Sequence, residues 1–264
     1  MKFSVLISTI DYGLENIILP DVNDTEYVII HQLTGHNIPR LNIPEKLQRH
    51  DVKLYQYYGR GLAESRNKAL SMASGEICVV ADDDMKYEDQ AFQFIEQVFE
   101  RFPEADIITF KARHRDNTPF KQYSLRSFTH NWCTIWRVSS IEIAFKRNAI
   151  IDAGLQFDEE FGLGSTYPTG EEFLFLKDAL AKGLKVFFYP STICIHEVMS
   201  SGHNLNSELL RAKGAMIKRA FPMLFPLFNI VFAGRKYQAY KNRFSFLKAL
   251  QLIFKGSQYL KKYE

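Results

Sequence analysis

The stretch GEICVVADDDMKYEDQ, residues 75–90, decides the fold class of this chain. An apolar run, Ile77 to Ala81, passes directly into three aspartates at positions 82–84. Adjacent carboxylates repel one another, so packing does not favour three of them at the end of a buried strand. Two interpretations follow. The triplet is either a solvated turn that precedes a helix, or a site at which a positively charged group binds.

Short apolar runs alternate with helical patterns on both sides of this stretch. The runs that predict strands are 3–9, 27–32, 52–57, 76–81 and 106–110. Apolar residues recur at helical spacing between the third and fourth runs and again between the fourth and fifth. This alternation is typical of an α/β fold with a mostly parallel sheet flanked by helices. Ligands bind such sheets beyond the carboxyl ends of the strands, which is where the aspartates stand.

Charge is distributed unevenly along the 264 residues. The net charge is +3, but residues 211–264 hold twelve Lys and Arg against one acidic residue. The rest of the chain is therefore acidic. Such a split predicts that the basic part faces a polyanion, either an anionic membrane or nucleic acid. We expect a catalytic domain at 1–205 and a basic helical extension at 206–264.

Two apolar segments of the extension bear on its partner. Residues 221–234 are strongly apolar but too short to span a bilayer, which needs about 20 residues. Residues 246–260 approximate an amphipathic helix with interspersed lysines. This helix either packs as an ordinary helix or anchors the protein at the surface of the inner membrane. Aromatic residues alternate there with aliphatic ones, which disfavours a nucleic-acid platform.

Cysteine usage and the N-terminus indicate the compartment. Cys78, Cys133 and Cys194 share no metal-ligand spacing, and the first and last lie in apolar runs. We interpret these as buried thiols in a reducing compartment. The N-terminal stretch MKFSVLISTI lacks the features of a signal peptide, so we expect a cytoplasmic protein.

Four groups of residues offer chemistry. Asp82 and Asp84 are two residues apart, which places both side chains on one side of an extended backbone, where they suit Mg²⁺ or Mn²⁺. Glu171 and Glu172 open a predicted helix. They either complement its dipole or supply a general base. His196 follows an apolar run and is either structural or a further metal ligand.

The fourth group is Ser65–Arg66–Asn67, at the start of a predicted helix. A helix N-terminus with an arginine suits a phosphate, although it suits a surface helix as well.

Taken in order, these groups resemble family 2 glycosyltransferases with the GT-A fold, of the kind that builds bacterial surface polysaccharides. The resemblance rests on SVLIST, on GRGLAESRNKALSMASGEICVVADDDM, on FDEEFGLGSTYPTGEEFLFLKDALAKGLKVFFYP and on IHEVMSSG. It runs from about residue 3 to residue 203.

The resemblance implies a role for each group. Asp84 and His196 would hold a divalent metal, and Glu172 would be the catalytic base. The residues expected around the nucleotide-sugar donor are Thr9, Ile10, Gln32, Arg66, Asp82 and Asp83. Those expected at the acceptor are Glu171, Trp132 and Tyr167.

The sequence departs from the family pattern in two places, one near the expected site of the nucleotide base and one near the expected site of the acceptor. His31 and Gln32 stand where an aspartate commonly helps to hold the nucleotide base, although the Gln32 amide can still donate and accept hydrogen bonds. The acidic pair is Glu171–Glu172, where Glu–Asp is common. The longer second side chain implies a slightly different acceptor position.

The implied function is inverting, metal-dependent transfer of a sugar from a UDP-linked donor to a glycan or lipid-linked glycan. Two alternatives remain open at this point. A nucleotidyltransferase would need a Gly-rich, basic loop after the first strand, where STIDYGLEN supplies only Gly13. A catalytically silent binding module would not need the aspartates, both glutamates and His196.

Overall fold

The structure, a computed structural model, describes residues 2–35, 42–196 and 205–258. These residues divide into two compact units. Unit 1 comprises 2–35, 42–60, 64–157 and 175–196. Unit 2 comprises 61–63, 158–174 and 205–258.

Unit 1 is built on a nine-stranded sheet, counted over the described residues. Its strands are β1 (Phe3–Ile10), β2 (Thr25–Leu33), β3 (Val52–Tyr58), β4 (Ile77–Asp82), β5 (Met85–Tyr87), β6 (Ile107–Arg113), β7 (Phe128–Thr129), β8 (Ile143–Lys146) and β9 (Val186–His196). The spatial order is β3-β2-β1-β4-β8-β6-β9-β5, and β7 pairs with β9. The first four strands of this order are parallel, and β6 and β9 are parallel to each other. This is the mostly parallel α/β sheet that the sequence predicts.

Each of the five predicted apolar runs falls on an observed strand. Residues of β1, β2 and β4 are buried along nearly their whole length because helices and loops cover both faces of the sheet. The sequence did not predict that β8 would lie antiparallel between β4 and β6.

Eight α-helices accompany the strands in the described ranges. They are α1 (Leu62–Met72), α2 (Ala91–Arg101), α3 (Arg147–Asp152), α4 (Glu171–Ala181), α5 (Ser207–Ala220), α6 (Phe225–Arg235), α7 (Tyr237–Tyr240) and α8 (Phe246–Gln258). Helix α2 shows the predicted apolar face, with Phe92, Ile95 and Phe99 buried in the core of unit 1. Helix α4 spans the predicted residues and ends before Gly183, whose φ of +83° only glycine adopts readily.

The basic extension forms helices α5 to α8 of unit 2. Helices α5 and α8 touch through glycines, because a Cβ at Gly214 or Gly256 would overlap a backbone carbonyl of the facing helix. The Ser257 hydroxyl donates to the Gly214 carbonyl oxygen at 2.9 Å. Ala249, Leu252 and Ile253 of α8 are therefore buried as in an ordinary packed helix, whereas Phe246 and Leu247 at its start are exposed. None of the helices in the described part of the chain is both long and apolar enough to cross a bilayer.

Candidate active site

The three aspartates form the end of β4 and the turn into β5. Asp82 is the last residue of β4, and Asp83 and Asp84 make the turn. Asp82 lies opposite Ser8 in the parallel pairing of β4 with β1. The carboxyl ends of these two strands therefore bring Thr9 to the triplet. Each of the three carboxyl groups has a different partner. These interactions offset the repulsion expected among three adjacent aspartates.

Asp82 pairs with an arginine from α1. The Nη2 atom of Arg66 lies 3.1 Å from Oδ1 of Asp82, and the guanidinium is also 5.7 Å from the centre of the Phe157 ring. Arg66 is fully buried. The Arg66 side chain is therefore enclosed in unit 1, where it holds Asp82 through an ion pair. It does not extend into solvent from the surface of α1.

Asp83 is the most enclosed of the three carboxyls. It accepts a hydrogen bond from the Thr9 hydroxyl, and a Cβ at Gly13 would overlap both groups. Burial, together with the charges of Asp84 and Asp82, raises the pKa of Asp83 to about 6. Asp83 therefore fastens the turn to the segment that follows β1.

Asp84 pairs with His196. Oδ1 of Asp84 lies 3.0 Å from Nε2 of His196, and this hydrogen bond holds the pKa of Asp84 below its usual value. The pair forms because Met85 of β5 lies opposite His196 of β9. His114 donates from Nδ1 to the backbone oxygen of His196 at 3.1 Å, and the Phe120 ring packs edge-on against the His196 ring.

We tested whether Asp84 and His196 suit a divalent cation. A carboxylate oxygen and an imidazole nitrogen are both ligands of Mn²⁺, and Mg²⁺ takes the oxygen. Their 3.0 Å separation lets one ion contact both after a small adjustment. The described residues hold no cluster of three or more His, Cys, Asp or Glu side chains fit for a metal. The pair therefore fits an ion that takes its remaining ligands from water and a bound phosphate.

His31 and Gln32 stand at the end of β2. Nε2 of His31 lies 2.6 Å from the Asp11 carbonyl oxygen, and Nδ1 lies 2.9 Å from the Gln56 amide nitrogen. Because a carbonyl only accepts, the proton is on Nε2 and Nδ1 accepts from Gln56. Burial lowers the pKa of His31, which keeps the ring neutral. Gln32 is buried and donates to the Tyr57 hydroxyl at 2.7 Å.

Two further predicted residues of unit 1 are exposed. Ile10 ends β1 with 52% of its surface accessible, and Trp132 is 53% accessible. Neither is required by the core, so both are accessible to a ligand. The structure adds His114, Phe120 and Tyr57, which the sequence analysis did not assign. Tyr57 comes from β3, His114 and Phe120 come from the segment after β6, and no local motif marks any of the three.

The remaining predicted residues belong to unit 2. Glu171 is buried and Glu172 half-buried, both in the first turn of α4. Gly162 has φ +104°, and a Cβ there would lie 3.2 Å from the Glu171 carboxyl carbon. Tyr167 stacks on Phe161 at 4.9 Å between ring centroids. Glycine at position 162 thus lets the loop approach the Glu171 side chain closely.

One family model matches the middle of the chain. Residues 42–165 match the model described as Glycosyl transferase family 2. Over this part, somewhat less than half of its length, the chain is similar to family 2 glycosyltransferases. The matched residues contain Arg66, the aspartate triplet and Trp132. The other predicted site residues lie outside the match. No curated protein matches the sequence.

Solved structures show the fold of the chain. S. aureus TarS 1–349 in complex with UDP-GlcNAc is similar with a TM-score of 0.64 and 17% identity, covering 97% of this chain and 82% of that one. The complex of TarS 1–349 with UDP gives 0.63 and 17%, with coverages of 97% and 81%. The longer S. aureus TarS chain gives 0.58 and 17%, with coverages of 91% and 44%. This chain thus spans less than half of that TarS chain, and the likeness establishes the GT-A fold.

Proposed function

We propose that this domain transfers a sugar from a UDP-linked donor to a hydroxyl of a glycan or lipid-linked glycan, with inversion, in surface-polysaccharide synthesis. The observation that carries the proposal is the clustering of Thr9, the aspartate triplet and His196 at strand ends, with Arg66 of α1 paired to Asp82, in a chain partly similar to family 2 glycosyltransferases. The structures of TarS 1–349 with UDP and UDP-GlcNAc support this class of donor.

The donor is held by residues of unit 1. Asp82, kept in place by Arg66, contacts the nucleotide, and Asp83 holds the segment that contains Thr9 and Ile10. Gln32 donates a hydrogen bond to the Tyr57 hydroxyl and so orients it, and the Tyr57 hydroxyl contacts the nucleotide base. This indirect contact is consistent with the burial of Gln32.

Mn²⁺ or Mg²⁺ would be held by Asp84 and His196. When bound, such an ion supplies Lewis-acid stabilisation to the charge that develops on a leaving diphosphate. The chain's own contribution is to present one oxygen and one nitrogen in a fixed arrangement. His114 and Phe120 restrain the imidazole, and the β5–β9 pairing sets the separation.

Glu172 is the general base. An alcohol is a weak nucleophile, and a carboxylate that removes its proton during attack contributes typically about 10²–10⁴-fold. Attack from the face opposite the diphosphate inverts the anomeric carbon. Glu171 and Tyr167 of the same unit, and Trp132, contact the acceptor.

Thermal-shift titration with nucleotide sugars in the presence of Mn²⁺, followed by product analysis, tests the proposal. We expect stabilisation by UDP and UDP-sugars, and transfer that Glu172→Gln abolishes while UDP binding persists. Binding without any transfer by the wild-type protein would favour the silent binding module. Release of pyrophosphate from UTP and a sugar phosphate would favour the nucleotidyltransferase.

We propose further that the protein works in the cytoplasm, at the cytoplasmic face of the inner membrane. The thiols of Cys78 and Cys194 are buried and unbridged, as suits a reducing compartment. An apolar ridge on α6 and the turn before it supports membrane contact. It consists of Met223, Leu224, Leu227, Ile230 and Val231, all exposed and spaced along one helix face.

The ridge suits lipid better than α8 does, because Ala249, Leu252 and Ile253 of α8 are buried within unit 2. The basic residues of the extension would add about 1 kcal/mol each near an anionic surface. No nucleic acid is required as a partner.

Co-sedimentation of the full chain with phosphatidylglycerol vesicles tests this contact. Leu227→Glu should weaken binding at least tenfold, and salt should weaken it further. The control is Leu125→Glu, since Leu125 is 90% exposed in unit 1, away from the basic extension in sequence. Equal binding by both variants would reject the ridge.

A further inference from the structure

Strands β6 and β9 do not keep one register along their length. Thr109 pairs with Phe188, but Ala112 pairs with Cys194, so β9 holds three more residues than β6 over this stretch. Extra residues of this kind form a β-bulge, which bends a strand and re-aims the side chains that follow it. His196 is such a side chain, since it lies just beyond Cys194 at the end of β9.

The position of His196 depends on the register that the bulge sets. Beyond the bulge, Cys194 of β9 also pairs with Tyr87 of β5, and Met85 lies opposite His196. This pairing brings Oδ1 of Asp84 to 3.0 Å from Nε2 of His196. Side chains alternate between the two faces of a sheet, so a slip of one residue would turn His196 away from Asp84.

Tyr123 contacts β6 and β9 at the two ends of the bulge. Strand β8 pairs with β6 only as far as Thr109, so the backbone of β6 beyond that residue needs other partners on this side. The Ala112 N–H donates to the Tyr123 hydroxyl at 3.0 Å, and the Ala112 carbonyl oxygen accepts from the Phe120 N–H at 3.1 Å. The Tyr123 ring lies parallel to the Phe188 ring, with 6.3 Å between the centroids. Tyr123 therefore contacts a residue before the bulge and a residue after it.

A short 3₁₀ helix that precedes β8 holds Tyr123 in place. Glu142 of this helix is buried, and its Oε1 accepts from the Tyr123 hydroxyl at 2.6 Å and lies 2.7 Å from Nζ of Lys121. The carbonyl oxygen of the neighbouring Ile141 accepts from Sγ of Cys194 at 3.5 Å. A buried carboxylate is costly to separate from its hydrogen-bond donors, so Glu142 fixes the Tyr123 hydroxyl.

We propose that Tyr123 is a positioning residue for the metal pair, because it fixes the register of β9 beyond the bulge and thereby holds His196 against Asp84. The inference rests on the proposed role of Asp84 and His196 in holding a cation. The Tyr123 hydroxyl serves Ala112 and Glu142 at once, so removing this single oxygen takes a partner from each.

Nitrogen-15 NMR of histidine-labelled protein without metal, at a pH where the ring is neutral, tests the position of His196. The wild type should show the proton on Nε2, since that atom donates to Asp84, and loss of the signal in His196→Ala assigns it. Tyr123→Phe keeps the ring and removes only the hydroxyl, and it should shift the signal toward that of a ring exchanging between tautomers. Tyr27→Phe is the matched control. It removes the hydrogen bond of another buried tyrosine, to the Pro20 carbonyl, and should leave the signal unchanged.

Titration of Mn²⁺ in the presence of UDP measures the consequence for the metal pair. Tyr123→Phe should weaken Mn²⁺ binding about tenfold, as loss of a partner that orients a metal ligand does. UDP binding without metal should stay unchanged, and Tyr27→Phe should bind Mn²⁺ like the wild type. Should Tyr123→Phe fail to fold, Glu142→Gln weakens the same hydrogen bond and should shift the His196 signal in the same direction by less.

An unchanged His196 signal in folded Tyr123→Phe would overturn the inference, as would unchanged Mn²⁺ affinity where the wild type binds Mn²⁺. Failure of the proposed function gives a different result. In that case the wild-type protein binds no Mn²⁺ and transfers no sugar, while the metal-free spectra still report whether Tyr123 positions His196.

Discussion

Nε2 of His196 lies 3.0 Å from Oδ1 of Asp84, although the two residues are far apart in sequence. The antiparallel pairing of β5 with β9 creates this contact, since Met85, next to Asp84, lies opposite His196. The pair is thus positioned by backbone hydrogen bonds of the sheet.

His196→Ala should lower the affinity for Mn²⁺ in the presence of UDP by at least tenfold, because it removes one of two protein ligands. Isothermal titration calorimetry of Mn²⁺ into the UDP complex measures this. His50→Ala is the control, since His50 is exposed and lies before β3. Equal Mn²⁺ affinity for the two variants would exclude His196 as a ligand. Full activity in EDTA would exclude a metal role for Asp84 as well.

Arg66→Met should destabilise the protein by about 2–4 kcal/mol, because it leaves Asp82 without its partner at a partly exposed position. It should also weaken UDP binding, since Asp82 is no longer held. Chemical denaturation and UDP titration measure the two effects. Arg60→Met, at an exposed position just before α1, should change neither. If Arg66→Met keeps wild-type stability, the ion pair contributes nothing measurable.

Stability should fall with acid between about pH 6.5 and pH 4 because of His130. This side chain is buried between the Thr109 and Thr134 hydroxyls, and burial lowers its pKa to about 4. The unfolded chain binds a proton at higher pH than the folded chain does, so protonation favours unfolding in this window. The loss should be on the order of 3 kcal/mol by pH 4.

Denaturant unfolding of wild type and His130→Gln at several pH values checks this. The variant should be less stable at pH 7 but show a shallower acid dependence. Parallel curves for the two proteins would exclude His130 as the titrating group.

Gly256→Ala should destabilise unit 2 by about 1–3 kcal/mol, because the added methyl group overlaps the Arg211 carbonyl oxygen and forces α5 and α8 apart. Gly234→Ala, in α6, meets nothing within 4 Å and should be neutral or slightly stabilising. Thermal unfolding of the two variants makes the comparison. Similar melting temperatures would show that α5 and α8 are not in close contact.

The sequence predicts the parts of this molecule that depend on local pattern. Strands β1 to β4 and helices α2 and α4 follow from apolar periodicity, and the aspartate triplet follows from its place after a buried strand. The sequence does not predict which residues contact that triplet. Nothing near Asp83 in sequence points to Thr9, and the contact exists because β1 and β4 are parallel neighbours.

The extension shows a second limit. Its charge and apolar spacing fit both a packed helix and a membrane anchor, because both bury an apolar face. The glycines at 214 and 256 distinguish the two for α8, since they permit helix contact that a larger residue would prevent. Lys213 was counted only as part of the basic charge, because its hydrogen bond to Thr169 depends on the path of the chain through unit 2.

The polarity of the hydrogen bonds at His31 has an evolutionary consequence. Gln56 donates to the ring and the ring donates to the Asp11 carbonyl, so positions 11, 31 and 56 form a relay that runs in one direction. An aspartate at position 31 could accept from Gln56 but, when ionised, would offer Asp11 no proton. Relatives with an aspartate there can therefore keep a donor at position 56, whereas the backbone carbonyl at position 11 must find another donor in place of the histidine ring.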